Sequence, residues 1–329
     1  MRAFVFSGGG NRGPMQVGAV KALLEQGIRP DMVIGCSAGA LNAAYLSRGF
    51  TAEMVKELAQ VWRDTTLNDI YPGSRVGTLW RIISRKDSFY DNRNFYDFLQ
   101  RTGTTPAQTF GTAPAYDLYI TATDLESGAL HVFGDDPGDH ILDALMASTA
   151  LPPMHPPWEV NGRRYIDGGT ITPLPLRVAL ERGATEIYAL HVADPAQRDS
   201  SLVKGVLSVM GRSVSTMLRL QADHDLFLIE KTGKVKFHYI ALSMPNSPGD
   251  LDFTQADRMI ASGYETMRSH LESAPGSRPH IALEPRSVLS QLGNRARRLW
   301  ARTVPAAPKT DEQKSSLGGA DHPPTQASA

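Results

Sequence analysis

The first 50 residues contain the same local pattern twice, and this repetition constrains the fold more than any other feature of the chain. Residues 2–6 form an apolar, β-prone run that ends in a glycine-rich loop, and a helical pattern follows from about residue 15 to residue 26. Residues 31–34 form a second such run, followed by another glycine loop and a helix that extends to about residue 46. This succession predicts a parallel sheet with helices packed on its faces.

The rest of the chain continues the alternation of strands and helices. Further strands are predicted over residues 117–123, 130–133, 186–192 and 236–241. Further helices are predicted over residues 52–63, 94–101, 141–148, 176–182, 202–230 and 254–272. The dipeptide Asn161–Gly162 lies between two short β-prone runs, 158–160 and 164–166, and predicts a tight hairpin. The fold class is therefore α/β, with a mostly parallel central sheet.

The charged residues are balanced, since Lys and Arg together number 34 and Asp and Glu together number 34. This balance gives no global argument for a nucleic-acid partner, and none is predicted. Cys36 is the one cysteine, so the chain can form no internal disulfide and no cysteine-based zinc cage. The apolar run at the N-terminus is short, and no stretch approaches the roughly 18 apolar residues that a membrane-spanning helix needs. We therefore predict a cytoplasmic location.

Beyond residue 273 the composition changes. Residues 274–304 are predicted to form an extension, within which residues 287–304 make a basic amphipathic helix whose apolar side chains fall within an arc of about 120°. This pattern suits either a helix on an anionic membrane surface, which would make the protein peripheral to the membrane, or a helix docked on the domain. Residues 305–329 are rich in Pro, Ser, Gly and Ala and are predicted to be disordered.

The first glycine loop has two interpretations. Its sequence fits the G-x-G-x-x-G fingerprint of dinucleotide-binding proteins, but Asp31 lies at the start of the second strand, where the fingerprint requires an acidic residue at the end. Alternatively, consecutive glycines before a helix can direct amide N–H groups at a developing oxyanion. Arg12 then holds the loop, meets a phosphate or is a solvated surface residue. The loop consists of Gly8, Gly9, Gly10, Asn11, Arg12 and Gly13.

The second glycine loop, from Gly35 to Gly39, matches the G-x-S-x-G pattern of a nucleophile elbow, in which a strained serine joins a strand to a helix. Ser37 is then the nucleophile, and the N–H group of Ala38 points at the oxyanion. The alternative is a glycine turn in which Ser37 is an incidental helix cap. Cys36 is a chemical rival, but its place in the motif predicts a side chain that is buried and directed away from the site.

A serine hydroxyl needs a base to attack efficiently, and the segment Asp167-Gly168-Gly169 supplies a candidate. It follows the second strand of the predicted hairpin, and its two glycines permit a sharp turn that could bring Asp167 beside Ser37. An aspartate in an ordinary turn would produce the same local pattern. A free aspartate has a pKa of about 3.9, which is low for a base at neutral pH, so we predict that burial raises the pKa of Asp167.

In their order along the chain, these three motifs resemble those of the patatin-like phospholipases. Two further segments are similar to that family, ASTALP over residues 147–152 and YITATDLESG over residues 119–128. The resemblance extends from residue 2 to about residue 192 and identifies residues 1–273 as a patatin-like catalytic domain. It implies a three-layer α/β/α fold that is related to the common α/β hydrolases and distinct from them.

The resemblance also implies a Ser–Asp dyad that hydrolyses carboxylic esters, above all those of phospholipids and lysophospholipids. Ser37 would attack the ester carbonyl, and Asp167 would take its proton, pass it to the leaving alcohol and then activate water. The expected oxyanion hole consists of Gly8, Gly9, Gly10 and Ala38. The supporting motif residues are Asn11, Arg12, Gly13, Gly35, Gly39, Gly168 and Gly169. The mechanism needs no metal and no cofactor.

Other functions stay open at this point. A small-ester or thioester hydrolase would use the same dyad, and a non-catalytic nucleotide-binding protein would use only the glycine loops. An ordinary triad would need a histidine, and its candidates are His191 at the end of a predicted strand and His155 in a proline-rich loop. Each is explained more simply as a structural or surface histidine. The sequence carries no signal for an oligomeric state.

Overall fold

The computed structural model describes residues 1–73, 80–81, 83–193, 205–232, 235–249 and 251–273. The strands in these ranges are β1 (Arg2–Phe6), β2 (Met32–Cys36), β3 (Asp117–Asp124), β4 (Leu130–Phe133), β5 (Trp158–Val160), β6 (Arg163–Asp167), β7 (Glu186–Val192) and β8 (Lys236–Leu242). The α-helices are α1 (Pro14–Glu25), α2 (Ala38–Leu46), α3 (Ala52–Asp64), α4 (Leu67–Ile70), α5 (Arg93–Arg101), α6 (Ile141–Ser148), α7 (Leu176–Glu181), α8 (Val206–Thr232) and α9 (Ala256–Glu272).

The predicted elements agree with these bounds, apart from small differences at their ends and the unpredicted helix α4. The first residues of the helix predicted over 202–230 lie outside the described residues. So do the extension over residues 274–304, with its amphipathic helix, and the tail over residues 305–329.

The strands form one mixed sheet in the order β5-β6-β3-β2-β1-β7-β8, and β4 pairs with the other side of β3. The pairs β1–β2, β2–β3, β1–β7 and β7–β8 are parallel, whereas β4 and the β5–β6 hairpin join antiparallel. The predicted α/β fold with a mostly parallel sheet is thus confirmed. The five parallel strands end along one side of the sheet, which we call the carboxyl edge.

Helices cover both faces of the sheet and produce three layers. Along β1, Phe4 and Phe6 point to the face that packs against α1, α2, α3 and α6, in the larger of two apolar clusters. The alternate residues Ala3 and Val5 point to the opposite face, where α7 and α8 supply the apolar partners. Because helices bury both faces, the central parallel strands are apolar at nearly every position.

The predicted hairpin is present and turns at the expected dipeptide. Asn161 has φ 51° and Gly162 has φ 75°, and these two left-handed residues join β5 to β6. β6 then pairs antiparallel with β3, and its last residue, Asp167, lies opposite Ala122. This pairing brings Asp167 beside the end of β2, because Cys36 lies opposite Thr121, the residue before Ala122, on the same side of β3. β4 occupies the other side of β3 at both positions.

Candidate active site

Ser37 lies in the sharp turn between β2 and α2, at the carboxyl edge of the sheet. Its backbone has φ 54° and ψ −125°, a conformation that costs energy for a residue with a side chain. The turn depends on close packing, since a Cβ atom at Gly39 would lie 2.4 Å from the carbonyl oxygen of Ser7. The N–H group of Ser37 donates to the hydroxyl of Ser148 at 2.9 Å, which anchors the turn to the end of α6.

The hydroxyl of Ser37 donates a hydrogen bond to Asp167, with 2.7 Å between Oγ and Oδ2. Asp167 is almost fully buried, and its other carboxylate oxygen accepts from the N–H group of Gly169 at 2.7 Å. The backbone of Asp167 is also held, because its N–H group donates to Ala150 O at 3.0 Å and its carbonyl accepts from the hydroxyl of Thr123 at 3.1 Å. The two predicted catalytic residues are therefore brought together in one rigid contact.

Burial raises the pKa of Asp167 to about 6, in the direction predicted. Loss of hydration disfavours the charged carboxylate, whereas the hydrogen bonds from Ser37, Gly169 and Cys36 stabilise it and partly oppose this effect. A carboxyl group that titrates near pH 6 is ionised at neutral pH and still holds a proton strongly enough to pass it on. Those are the properties that a general base and acid requires.

The side chain of Cys36 is buried as predicted, but the prediction that it is directed away from the site is wrong. Its Sγ atom lies 3.9 Å from Oδ1 of Asp167 and donates a weak hydrogen bond to it. Burial, and then the negative charge of Asp167, raise the pKa of the Cys36 thiol well above its usual value. The group is therefore a neutral thiol, which makes it a poor nucleophile and a small polar neighbour of the carboxylate.

The first glycine loop packs directly against the Ser37 turn. A Cβ atom at Gly8 would lie 3.3 Å from Cβ of Ser37, and Gly10 has φ 57°, a left-handed conformation that glycine adopts readily. The N–H group of Gly8 donates to Pro173 O at 2.9 Å, so this amide is already used within the protein. In the described part of the chain, no protein acceptor binds the N–H groups of Gly9, Gly10 and Ala38.

The remaining predicted residues of the first loop support its conformation. The side-chain amide of Asn11 donates to Gly249 O at 2.8 Å and to Asp252 O at 2.7 Å, which ties the loop to a distant segment. The guanidinium of Arg12 donates from Nε to Gly9 O at 3.3 Å, so one of the interpretations of this residue, that it holds the loop, has a physical basis. Gly13 directly precedes α1, and its N–H group donates to Gly10 O.

Two polar residues at the site were not identified as site residues from the sequence. Ser148, at the end of α6, accepts the N–H group of Ser37. Gln16 is fully buried in α1 and donates to Ser7 O at 2.9 Å and to Leu190 O at 3.0 Å, which joins the loop after β1 to the end of β7. The available signal was a lone amide among the apolar residues that begin α1, because a buried amide must find hydrogen-bond partners.

The two histidines considered for a triad are bonded elsewhere. Nδ1 of His191 lies 2.8 Å from the hydroxyl of Tyr239, and burial, with the positive charge of Arg12, lowers the pKa of His191 to about 4. Nε2 of His155 lies 2.7 Å from Ile70 O, and burial also lowers the pKa of this ring. Both are neutral at pH 7. Neither is among the hydrogen-bond partners of Ser37 or Asp167 in the described residues.

Within the same described ranges, no group of three or more His, Cys, Asp and Glu side chains is arranged to hold a metal ion. No helix in those ranges is both long enough and apolar enough to span a bilayer.

Comparison with known proteins places these motifs in a family. The family model described as patatin-like phospholipase matches residues 4–180. The chain is 26% identical over 211 residues to patatin-like phospholipase domain-containing protein 6 of Mus musculus, a match that covers 63% of this chain and 14% of that protein. It is 26% identical over 208 residues to lysophospholipase NTE1 of Saccharomyces cerevisiae, with 59% of this chain and 11% of that protein covered.

A bacterial relative is matched over more of its own length. The uncharacterized protein YqhO of Bacillus subtilis is 25% identical over 233 residues, which cover 65% of this chain and 79% of that protein. Among solved structures, VipD from Legionella pneumophila aligns with a TM-score of 0.45 and 16% identity, over 83% of this chain and 67% of that one. Because the family model spans more than half of the chain and includes all three motifs, this protein belongs to the patatin-like phospholipase family.

Proposed function

We propose that this protein hydrolyses carboxylic esters of lipids, as a phospholipase A or lysophospholipase, with Ser37 as the nucleophile and Asp167 as general base and acid. The observation that carries the proposal is the 2.7 Å hydrogen bond from the Ser37 hydroxyl to a buried carboxylate. Family membership and the names of the relatives support a lipid ester as the substrate. The amides of Gly9, Gly10 and Ala38, which have no protein acceptor among the described residues, support acyl transfer as the chemistry.

In the first half of the reaction, Oγ of Ser37 attacks the acyl carbon while its proton passes to Oδ2 of Asp167. The carbonyl π bond opens, and the negative charge moves to the former carbonyl oxygen. When this tetrahedral intermediate collapses, the bond between the acyl carbon and the leaving oxygen breaks. Asp167 returns the proton to that oxygen, so the alcohol leaves neutral and the acyl group stays on Ser37.

In the second half, a water molecule repeats the sequence in place of the serine. The water oxygen attacks the acyl carbon of the acyl-enzyme while Asp167 takes one proton from the water. A second tetrahedral intermediate forms. Its collapse breaks the bond to Oγ, and Asp167 gives the proton back to Ser37. The products are a fatty acid and the original hydroxyl, so atoms and charge balance over the cycle.

The oxyanion of both intermediates needs hydrogen-bond donors that are already in place. We assign this role to the N–H groups of Gly9, Gly10 and Ala38, which have no protein acceptor in the described ranges. Gly8 was predicted to belong to this group, but its N–H group is already bonded to Pro173 O. We assign it a different role, which is close packing against Ser37. Loss of one such donor in comparable enzymes reduces kcat by roughly 100-fold to 1,000-fold.

The test is covalent labelling by a fluorophosphonate probe, which reacts with activated serines. Wild type should be labelled at Ser37, and Ser37→Ala and Asp167→Asn should lose at least ~1,000-fold in labelling rate. The matched controls are Ser47→Ala, which removes another buried serine hydroxyl at the far end of α2, and Asp225→Asn, which neutralises another carboxylate bonded to a hydroxyl. Both should be labelled like wild type.

Two further outcomes would change the proposal. Loss of turnover in a folded His191→Gln or His155→Gln variant would replace the dyad by a mechanism that needs a histidine. The second outcome is hydrolysis of soluble monomeric esters together with no increase in rate when a single-chain phospholipid passes its critical micelle concentration. That result would replace the lipid substrate by a small ester. An unlabelled wild type would overturn the hydrolase assignment itself.

A further inference from the structure

Two apolar side chains are exposed on a short segment that begins as a turn of helix. Trp80 is 67% exposed and Ile83 is 65% exposed, although a large apolar side chain usually finds cover. Arg81 holds the turn in place, since its Nε donates to Ser88 O and its Nη2 to Ser88 Oγ, both at 3.0 Å. We call residues 80–81 and 83–88 the edge turn.

The edge turn lies at the carboxyl edge of the sheet, beside the Ser37–Asp167 pair. Phe89 N donates to Pro153 O at 2.8 Å, and Tyr90 N donates to Met154 O at 3.0 Å. The loop that contains these acceptors begins directly after Ser148, which binds the Ser37 backbone. The same loop accepts the N–H group of Asp167 at Ala150 O. The loop that anchors the end of the edge turn therefore also holds both residues of the site.

The first half of α8 is a second exposed apolar region. Four of its apolar side chains are at least 43% exposed, and they fall within an arc of about 140° on a helical wheel. They are Val209, Val214, Met217 and Leu220. The described buried residues of this helix all belong to its second half, where they pack under the sheet. They are Ala222, Leu226 and Ile229.

The exposed half of α8 extends past the same edge of the sheet. Asp225 accepts a hydrogen bond from Thr172 at 2.9 Å, and the next residue, Pro173, accepts the N–H group of Gly8, so this point of the helix is level with the glycine loop. The helix ends close to Lys236, at the opposite edge, where β8 begins. The stretch from Val206 to Asp225, about 30 Å long, thus continues beyond the carboxyl edge.

Basic charges outnumber acidic ones in both exposed regions. The edge turn contains three basic residues, Arg81, Arg85 and Lys86, and one acidic residue, Asp87. The sequence VLSVMGRSVSTMLRL over residues 206–220 contains two basic residues and no acidic one. Beyond the edge turn, Asp91 pairs with Arg81 at 3.7 Å. In a chain with equal numbers of acidic and basic residues, this excess of basic residues is a local feature of the two regions.

We propose that the edge turn and the first half of α8 dock on an anionic phospholipid bilayer. Apolar side chains among basic ones are the pattern of a surface that lies at the interface, with tryptophan at the headgroup level and arginine near lipid phosphates. The edge turn is anchored to the loop that follows Ser148, the partner of the Ser37 backbone, and the first half of α8 continues beyond the carboxyl edge, where Ser37 lies. The inference deepens the proposed function, on which it rests for the identity of the substrate, because docking would bring the site mouth onto the lipid.

Vesicle co-sedimentation tests the surface separately from the chemistry when it is carried out in the Ser37→Ala background, which leaves the lipid intact. The protein should bind vesicles that contain phosphatidylglycerol more tightly than pure phosphatidylcholine vesicles. Trp80→Ser combined with Met217→Ser should weaken binding at least roughly tenfold. Arg212→Gln with Arg219→Gln should weaken it about fivefold per charge, on anionic vesicles only. The control Lys56→Gln, an exposed lysine on α3, should bind like the background protein.

Tryptophan fluorescence identifies the segment that enters the interface. Trp62 is buried, whereas Trp80 is exposed, so vesicles should shift the emission to shorter wavelength in the parent protein and not in Trp80→Phe. A shift that Trp300→Phe abolishes instead would assign the contact to the predicted amphipathic helix and overturn the proposal. Binding that none of the variants weakens would also overturn it. So would a dimer that the Trp80→Ser, Met217→Ser variant converts to a monomer with no loss of vesicle binding.

Failure of this inference and failure of the proposed function give different results. A protein that binds vesicles through these residues but resists the fluorophosphonate probe would keep the surface and lose the hydrolase. A protein that is labelled at Ser37 and ignores vesicles would keep the hydrolase and lose the surface. All variants should first be shown to unfold at the temperature of the parent protein.

Discussion

The two ends of the Ser37–Asp167 hydrogen bond are held by different means. Ser37 is fixed mainly by the sterics of its own tight turn, through a positive φ angle and the neighbouring Gly39, which packs against the carbonyl oxygen of Ser7 at the end of β1. Asp167 lies 130 residues further along the chain and is fixed by strand pairing, because β6 joins β3 antiparallel and brings Asp167 opposite Ala122. One residue is thus placed by local sterics and the other by the register of a sheet.

This difference has consequences for how each residue can fail. The Ser37 turn tolerates almost no added volume, since its neighbours are backbone atoms that cannot move independently. Asp167 depends on many weak contacts, and a slip of one residue in β6 would direct its side chain to the other face of the sheet. Mutations should therefore break the Ser37 side abruptly and tune the Asp167 side gradually.

The largest effect is expected at Gly39. In Gly39→Ala the new Cβ atom would lie 2.4 Å from Ser7 O and 2.5 Å from Phe6 O, so β1 or the turn must shift, at a cost of about 3 kcal/mol in the free energy of unfolding. Urea denaturation measures this. The control is Gly211→Ala in α8, where the Cβ atom meets nothing within 4 Å and should stabilise the helix by about 1 kcal/mol. Equal stability of the two variants would contradict local steric control of Ser37.

On the other side of the comparison, Asp167→Asn should stabilise the protein at pH 7 by about 1–2 kcal/mol. The pKa of Asp167 is about 6 in the folded protein and 3.8 for an ordinary aspartate, such as that of the unfolded chain. Between pH 3.8 and about pH 6 the folded state therefore binds more protons than the unfolded state, and the free energy of unfolding falls as pH rises through this range. In wild type this decrease in the free energy of unfolding amounts to about 3 kcal/mol at pH 7. Asp167→Asn avoids the decrease, but its neutral amide accepts weaker hydrogen bonds from Ser37 and Gly169, so the net gain is smaller.

The pH dependence distinguishes this effect from a general gain in packing. The stability difference between Asp167→Asn and wild type should shrink as pH falls from about 6 to 4, as measured by thermal unfolding at each pH. Asp252→Asn is the contrasting control, because hydrogen bonds from Thr254 lower the pKa of that carboxylate and its neutralisation should not stabilise the fold. A stability gain for Asp167→Asn that is constant down to pH 4 would contradict the hypothesis that burial of the charged carboxylate destabilises the wild-type fold.

The same titration should govern activity. With a pKa of about 6, Asp167 is protonated in most molecules at pH 5, and kcat/KM for an ester should be about tenfold below its value on the alkaline plateau. A profile that stays flat down to pH 4 would exclude Asp167 as the general base. The inflection belongs to the free enzyme, so it should be measured at substrate concentrations well below KM.

The smallest effect is expected at Cys36, where the two sides of the site meet. Its thiol donates to Oδ1 of Asp167, and this bond lowers the pKa of the carboxyl group. Cys36→Ala removes the donor, so the inflection of the pH profile should move slightly upward, whereas Cys36→Ser keeps a donor and should not move it upward. An abolished activity in Cys36→Ala would instead point to the cysteine as the nucleophile.

Local elements were predictable because their signals lie within a few residues. The strand, glycine loop and helix around Ser37 follow from a short motif, and the turn at Asn161–Gly162 follows from two residues that adopt positive φ angles readily. Helix α4 was not predicted, because four residues are too few for a periodic pattern. The bonding of the Gly8 amide was not predictable either, since its acceptor, Pro173 O, lies far along the chain.

The sequence by itself determined the alternation of strands and helices, the strained turn at Ser37 and the family to which its motifs point, because each of these is encoded in contiguous residues. The tertiary structure decided which carboxylate meets Ser37, that Ser148 anchors the turn, and that Cys36 faces Asp167. It also decided that the pKa of Asp167 lies near 6, since burial is a property of the packed fold and not of an aspartate in a turn.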